Sequence, residues 1–260
     1  MRRSPFLSPS DPIPLAMASE FSAAGPFPKT RRSVIAALGA DDAVERARSF
    51  EVLARTYWRP VYAHVRLRFR RPPEEARDLT QEFFARALEK RWLRSYDASQ
   101  ARFRTYLRTC LDRFVIDALR DERREKRGGG ALRLALDFDV AEAELPAGAT
   151  PDACFDEEWT RALFAGAVAT LAATCRERGK PHVFALFERY VLDDLGDDAA
   201  PRPSYADLAR EHGISVTDVT NHLAWARREF RAAALDALRE ITASDEEFRA
   251  EARDLFGVEP

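Results

Sequence analysis

Cysteine is scarce in this 260-residue chain: Cys110, Cys154 and Cys175 stand far apart and form no CxxC pair. A disulfide framework and a thiolate zinc motif are therefore excluded, and a reducing compartment is expected. The four histidines lack metal-ligand spacing. No apolar run approaches the ~18 residues that a membrane span requires, so a transmembrane protein is excluded. Arg2 and Arg3 are followed by Pro5, Pro9, Pro12 and Pro14 rather than by the apolar stretch of a signal peptide, and the expected location is the cytoplasm. Gly128-Gly-Gly130 has no Lys-Ser or Lys-Thr after it, which rejects a phosphate-binding loop. No paired carboxylates and no Ser/His/Asp grouping stand in a recognisable context, so neither an enzyme nor a cofactor or metal is expected.

Charge is abundant, and it is unevenly placed. The formal net charge of −2 hides 25 Lys and Arg against 15 Asp and Glu from Lys29 to Arg127, +10, and 14 against 26 from Gly128 to Pro260, −12. This split points to a basic module that meets a polyanion, joined to an acidic one. Two solvated surfaces of opposite sign are the alternative.

Residues 1–28 are rich in Pro, Ser and Ala without periodicity and read as a disordered leader, with Met17 as a second candidate start. From Ser33 to Arg127 the apolar positions recur at helical spacing and never alternate as in strands. Helices are expected near 33–38, 42–70 with a bend at Pro60, 74–91 and 101–126. The acidic stretch 128–154, with Pro146, Gly148 and Pro151, has linker composition. Helical pattern resumes at Phe155 and runs through 182–192, 204–212 and 215–240, with a tail helix near 245–256. The expected fold is all-α: a helical domain at 29–127, a flexible acidic linker at 128–154, a second helical domain at 155–242, and a tail at 243–260.

Three segments carry chemistry. On a helix from Arg102 to Arg127, Phe103, Leu107, Cys110, Leu111, Phe114 and Ala118 share one face. Arg102, Arg113, Arg120, Arg124 and Arg127 gather within about 60° on another. So dense a guanidinium stripe favours a phosphate backbone as counter-ion, although Asp117, Asp121 and Glu122 offer local partners and leave a salt-bridged solvated face open. Trp92, Tyr96, Phe103 and Tyr106 add aromatics that either stack on unpaired bases or fill a core. In the segment Ser204 to Leu223, a short helix with Leu208 and Ala209 meets a turn at Gly213. Ser215 then caps a second helix, a helix-turn-helix layout. The second helix turns Val219, Leu223, Ala226 and Phe230 inward and Thr217, Asn221, Ala224, Trp225 and Arg228 outward, where they can reach a major groove. In Ala76–Leu88, Leu79, Phe83 and Ala87 form one stripe and leave Asp78, Gln81, Glu82 and Arg86 as a polar edge, which by itself implies no function.

In this order the three segments resemble those of the bacterial extracytoplasmic-function sigma factors, over residues 30–240. Asp78, Leu79, Gln81, Glu82 and Phe84 stand in the places of that family's Asp-Leu-x-Gln-Glu-x-Phe motif. The stretch Phe103 to Arg120, ending Asp117-x-Leu119-Arg120, is similar to its promoter-melting helix, and Ser204 to Arg228 resembles its fourth-region helix-turn-helix. The resemblance implies a non-enzymatic, two-domain RNA polymerase sigma factor that directs transcription initiation. Asp78, Gln81, Glu82 and Phe84 would dock on the polymerase core. Arg102, Tyr106, Arg113, Arg120 and Arg124 would contact the promoter's minus-ten element. Thr217, Thr220, Asn221, Trp225 and Arg228 would contact the minus-thirty-five element. An anti-sigma factor or a regulatory kinase is the kind of controlling partner it implies.

The chain departs from the pattern at four positions. Tyr106 replaces a common Trp, Arg113 a common Asn, and Thr220 and His222 stand where Lys or Arg is frequent. Base preference at the minus-ten element is thereby altered, and phosphate contacts upstream are weakened. A stand-alone helix-turn-helix regulator that binds duplex DNA as an oligomer is the alternative function. A protein-binding adaptor without DNA activity is a second rival.

Overall fold

The structure is a computed structural model that describes residues 34–37, 42–90, 95–122, 136–146, 148–192 and 203–257. The expected leader at 1–28, Arg124 and the triple glycine lie outside the described residues. All regular elements among the described residues are helices. They are α1 (Val34–Ala37), α2 (Ala43–Arg68), α3 (Pro73–Lys90), α4 (Phe103–Glu122), α5 (Phe138–Ala143), α6 (Pro151–Glu177), α7 (Pro181–Phe187), α8 (Tyr205–His212), α9 (Val216–Glu240) and α10 (Asp245–Phe256). A π-helical turn, Glu188–Leu192, continues α7. The described residues divide into two compact units, one drawn from Pro26–Ala162 and Arg239–Glu251, the other from Leu163–Leu238 and Ala252–Pro260.

In the first unit, α2 starts where the Asp42 carboxylate accepts the Val44 N–H at 2.8 Å, which satisfies a donor that helix geometry leaves unpaired. It then runs unbroken through Pro60. Leu53, Tyr57, Val61 and Tyr62 from α2, Phe83 and Phe84 from α3, and Phe103, Leu107 and Leu111 from α4 are fully buried. Aromatic edges knit these helices together: Tyr57 lies 5.7 Å from Phe103 and Phe83 lies 5.6 Å from Phe114. Phe155 and Trp159, from the first half of α6, are buried in the same unit, with Phe155 6.4 Å from Tyr57.

The acidic segment departs from its expectation as a flexible joint. Residues Phe138–Ala143 are helical, α6 begins at Pro151, and Phe138 is buried against Trp58 and Tyr62. Seven of the eight acids between Asp137 and Glu158 have partners in this unit. Asp137 caps α5 by accepting the Val140 N–H. Asp139 pairs with Arg77, Glu142 with Arg66, and Glu144 with Arg59. Asp152 pairs with Arg108 at 3.5 Å, Asp156 with Arg104 at 3.2 Å, and Glu158 with Arg59 at 2.8 Å. Composition alone reads this segment as linker because a run of acids without Lys or Arg looks solvated. Here the carboxylates instead meet guanidinium groups from distant helices, which offset their desolvation.

The second unit holds two buried clusters. Leu171, Cys175, Val183, Phe187 and Ala226 form one. Leu186, Leu208, Ala209, Val219 and Leu223 form the other, beneath α8 and α9.

Arg59 bridges Glu144 and the buried Glu158. Arg59→Met leaves Glu158 with Arg161 alone and should cost about 2 kcal/mol, read as a lower urea midpoint at unchanged m-value. His64 is buried, and its Nε2–H donates to Asp112 at 2.8 Å, an arrangement that the neutral ring satisfies. Burial pushes its pKa down, against the pull of Asp112 and of the more distant Asp152 and with the push of Arg68. The unfolded chain therefore binds more protons as pH falls below the ordinary histidine value, and stability drops there. The melting temperature should fall between about pH 7 and pH 5, and His64→Gln should flatten that part of the profile.

Candidate nucleic-acid interface

On α4, Tyr106, Arg113 and Arg120 are spaced by seven residues, two turns each, and so share one face. Arg113 and Arg120 are exposed or half-exposed, as are Thr109 and Ile116 between them, and Tyr106 is half-buried. Arg120 reaches Asp117 at 3.4 Å with both side chains in solvent, a pair worth little in water. The Tyr106 hydroxyl meets Ser95 Oγ at 2.8 Å, and its ring lies 5.2 Å from that of Tyr96. Tyr96 packs edge-on against Phe103 at 5.2 Å. The aromatics thus serve both readings: Phe103 belongs to the core, while Tyr96 and Tyr106 form a partly exposed platform on the face that carries Arg113.

Arg102 is separate from this stripe, because α4 begins one residue later. Its guanidinium lies 3.4 Å from Glu251, which also takes Arg104 at 3.1 Å. Four residues before Glu251, the buried Glu247 accepts the backbone N–H of Phe103, the hydroxyl of Tyr96 at 3.2 Å and the N–H of Ala243 at 2.8 Å. Burial, and then Glu247, pushes the Tyr96 phenol well above its ordinary value. The start of the tail helix α10 therefore belongs to the arginine-bearing unit. Sequence reasoning missed Glu247 and Glu251, because an i, i+4 acidic pair on an amphipathic helix looks like any solvated edge.

On α3, Asp78 is exposed and Gln81 and Glu82 are half-buried at the surface, with Glu82 paired to Arg86. Phe84 departs from its expected role in docking. It is fully buried and packs against Phe50 at 6.2 Å and Phe83 at 5.4 Å, so its contribution is to the core.

In the second unit, α8 and α9 are joined by a turn that is specified twice over. Ser204 caps α8 by accepting the Asp207 N–H, while the Asp207 carboxylate accepts the Ser204 N–H at 3.1 Å. Ser215 and Asp218 repeat this at the start of α9, at 3.0 and 3.2 Å. The serine hydroxyls hold both aspartates below their ordinary pKa. Between the two boxes Gly213 takes φ 65°, ψ 32° and closes α8 by donating to Ala209, a left-handed conformation that costs other residues roughly 1–2 kcal/mol.

Thr217, Thr220 and Asn221 are exposed on α9, and Arg228 lies at its surface. Thr220 spends its hydroxyl hydrogen on the Val216 carbonyl at 2.9 Å. Trp225 departs from its expected place among them. It is half-buried on the cluster of Leu171, Cys175 and Phe187, with Arg178 5.4 Å and Lys180 5.3 Å from its ring centre. It anchors two cations rather than standing free. His222 lies against His182 at 5.1 Å, and burial, followed by that neighbour, lowers its pKa.

No group of His, Cys, Asp or Glu among the described residues is arranged to hold a metal ion. No helix among them is long and apolar enough to cross a membrane.

Residues 53–125 match the family model for sigma-70 region 2. The matched stretch runs from within α2 through α3 and α4 and includes the polar edge at Asp78 and the Tyr106/Arg113/Arg120 face. It supports a general role as an RNA polymerase sigma factor, a class of non-catalytic regulators whose region 2 binds the polymerase core and minus-ten promoter DNA. No curated protein and no solved structure matches the chain.

Proposed function

We propose that this chain is an RNA polymerase sigma factor of the extracytoplasmic-function type, acting in the cytoplasm to direct promoter recognition and transcription initiation. The observation that carries the proposal is the sigma-70 region 2 match over 53–125, within which one helix face presents Tyr106, Arg113 and Arg120. A tyrosine ring offers a stacking surface to an unpaired base, and the arginines offer phosphate contacts.

The polar edge of Asp78, Gln81 and Glu82 is the proposed docking surface for the polymerase core. The second unit is the proposed reader of the minus-thirty-five element. Its two capping boxes fix the angle at which α9 leaves the turn, and Thr217, Asn221 and Arg228 lie on its outer side. Thr220 joins them at the same end of the helix. Each contact set is small, and affinity comes from holding both units on one polymerase, which raises the effective concentration of the second at its site. Control by an anti-sigma factor or a kinase belongs to the same reading.

Promoter-directed transcription with purified core polymerase and a genomic fragment library tests the whole proposal. Defined start sites that depend on the protein are expected. Tight, sequence-specific duplex binding by the protein alone, with no dependence on polymerase, would favour the stand-alone regulator. Asp78→Ala with Gln81→Ala should weaken co-purification with core polymerase about tenfold while leaving the melting temperature unchanged. Asn221→Ala should relax preference at one or two positions of the upstream element, worth about 1–3 kcal/mol at the contacted base, as read by transcription from a randomised promoter library.

A further inference from the structure

We infer that the first turns of α10 act as an internal competitor of single-stranded DNA for the start of the α4 helix, with Glu247 and Glu251 occupying the places of strand phosphates. This rests on the proposed assignment of α4 to single-stranded DNA. Several of the groups that meet the two carboxylates are ones an incoming strand would use, while the Ala243 N–H, which also meets Glu247, travels with α10. Arg102 and Arg104 meet Glu251, and the Phe103 N–H and the Tyr96 hydroxyl meet Glu247. They sit at the N-terminal end of α4, where free N–H groups and the helix dipole favour an anion, and Tyr96 touches the Tyr106 ring.

The two acids stand on successive turns of α10 and present their carboxylates on one side of it, as consecutive phosphates of a strand would. Both are nearly inaccessible, 6% exposed for Glu247 and 2% for Glu251. A carboxylate is held so far from water only where cations and donors compensate it, and here the compensating groups include Arg102 and its neighbours at the entrance to the proposed DNA face. A strand approaching Tyr106 and Arg113 from this end must share or displace them. Phe248, buried on the inner side of the same helix, keeps the acids in place when no strand is present.

The test uses the full chain and a fluorescein-labelled oligothymidine, followed by anisotropy over a salt series. Glu247→Gln with Glu251→Gln keeps the shape and an acceptor oxygen at each position and removes the charge. It should bind the oligothymidine about tenfold more tightly at low salt, with a salt slope steeper by about 0.7 for each additional phosphate neutralised. Glu251→Gln alone should give about threefold and serves if the double variant does not fold. Glu246→Gln with Asp236→Asn changes net charge equally at two exposed positions and should shift affinity less than twofold. Unchanged or weaker binding by the Gln variants, while Arg113→Ala weakens binding of the parent, overturns the competition and leaves the DNA face standing. An equal rise in affinity in the exposed-acid control also overturns it. Absence of oligothymidine binding by every variant overturns the DNA face itself, and with it the competition.

Discussion

Pairing between arginines and acids distant in sequence is the interaction on which the first unit depends. Arg59, Arg66, Arg77, Arg104 and Arg108 each meet a carboxylate from 137–158, and without that segment α2, α3 and α4 would carry these cations with far less to oppose them. Phe138, Phe155 and Trp159 accompany the acids into the interior, so apolar burial draws the segment in and the ion pairs fix its register. Exposed pairs of this kind contribute little. Those made by Glu158 with Arg59 and Arg161 are largely shielded from water, and loss of either arginine leaves the buried carboxylate with one cation in place of two. Part of the opposite charge of the two halves of the sequence is therefore an internal complementarity. Arg113 and Arg120 stand exposed on the outer face of α4.

The second unit is organised differently. The pair α8 and α9 is specified by residues three apart, Ser204 with Asp207 and Ser215 with Asp218, and by one left-handed glycine. Leu186 and Tyr190, from outside α8 and α9, complete the cluster beneath them. Trp225 and its two cations brace the far side of α9 against the other cluster.

Much of this was legible in the sequence because the signals were local. The helical periodicity around Leu107 and Phe114, the turn at Gly213 and the cap at Ser215 all act within one or two turns of the chain. The resemblance to sigma factors rests on the same local stretches, and the region 2 match falls on two of the three. Illegible were the features set by distant partners. The acids from Asp137 onward look like linker until Arg66 and Arg59 are seen opposite them. Phe84 looks like part of a docking motif until Phe50 is seen against it. Arg102 looks like the first of a stripe until α4 is seen to start after it. Trp225 faces outward by helix rotation alone, yet Arg178 and Lys180, just past the end of α6, cover it. For Phe84 and Trp225 the periodicity was right and the neighbour was missing; for the acids and Arg102 the element boundary was missing as well.

The bond from Phe103 to Glu247 joins residues 144 positions apart, and this sets an order on biosynthesis. As the nascent polypeptide leaves the ribosome, α2 to α4 emerge long before Glu247 and Glu251, the acids that meet the Phe103 N–H and Arg102. The caps and turn of α8 and α9, by contrast, are complete as soon as their own stretch is out. Domains generally fold as units during translation, but this one stays unfinished until the last part of it is made, and until then Arg102 and the Phe103 N–H lack the carboxylates they meet in the folded unit.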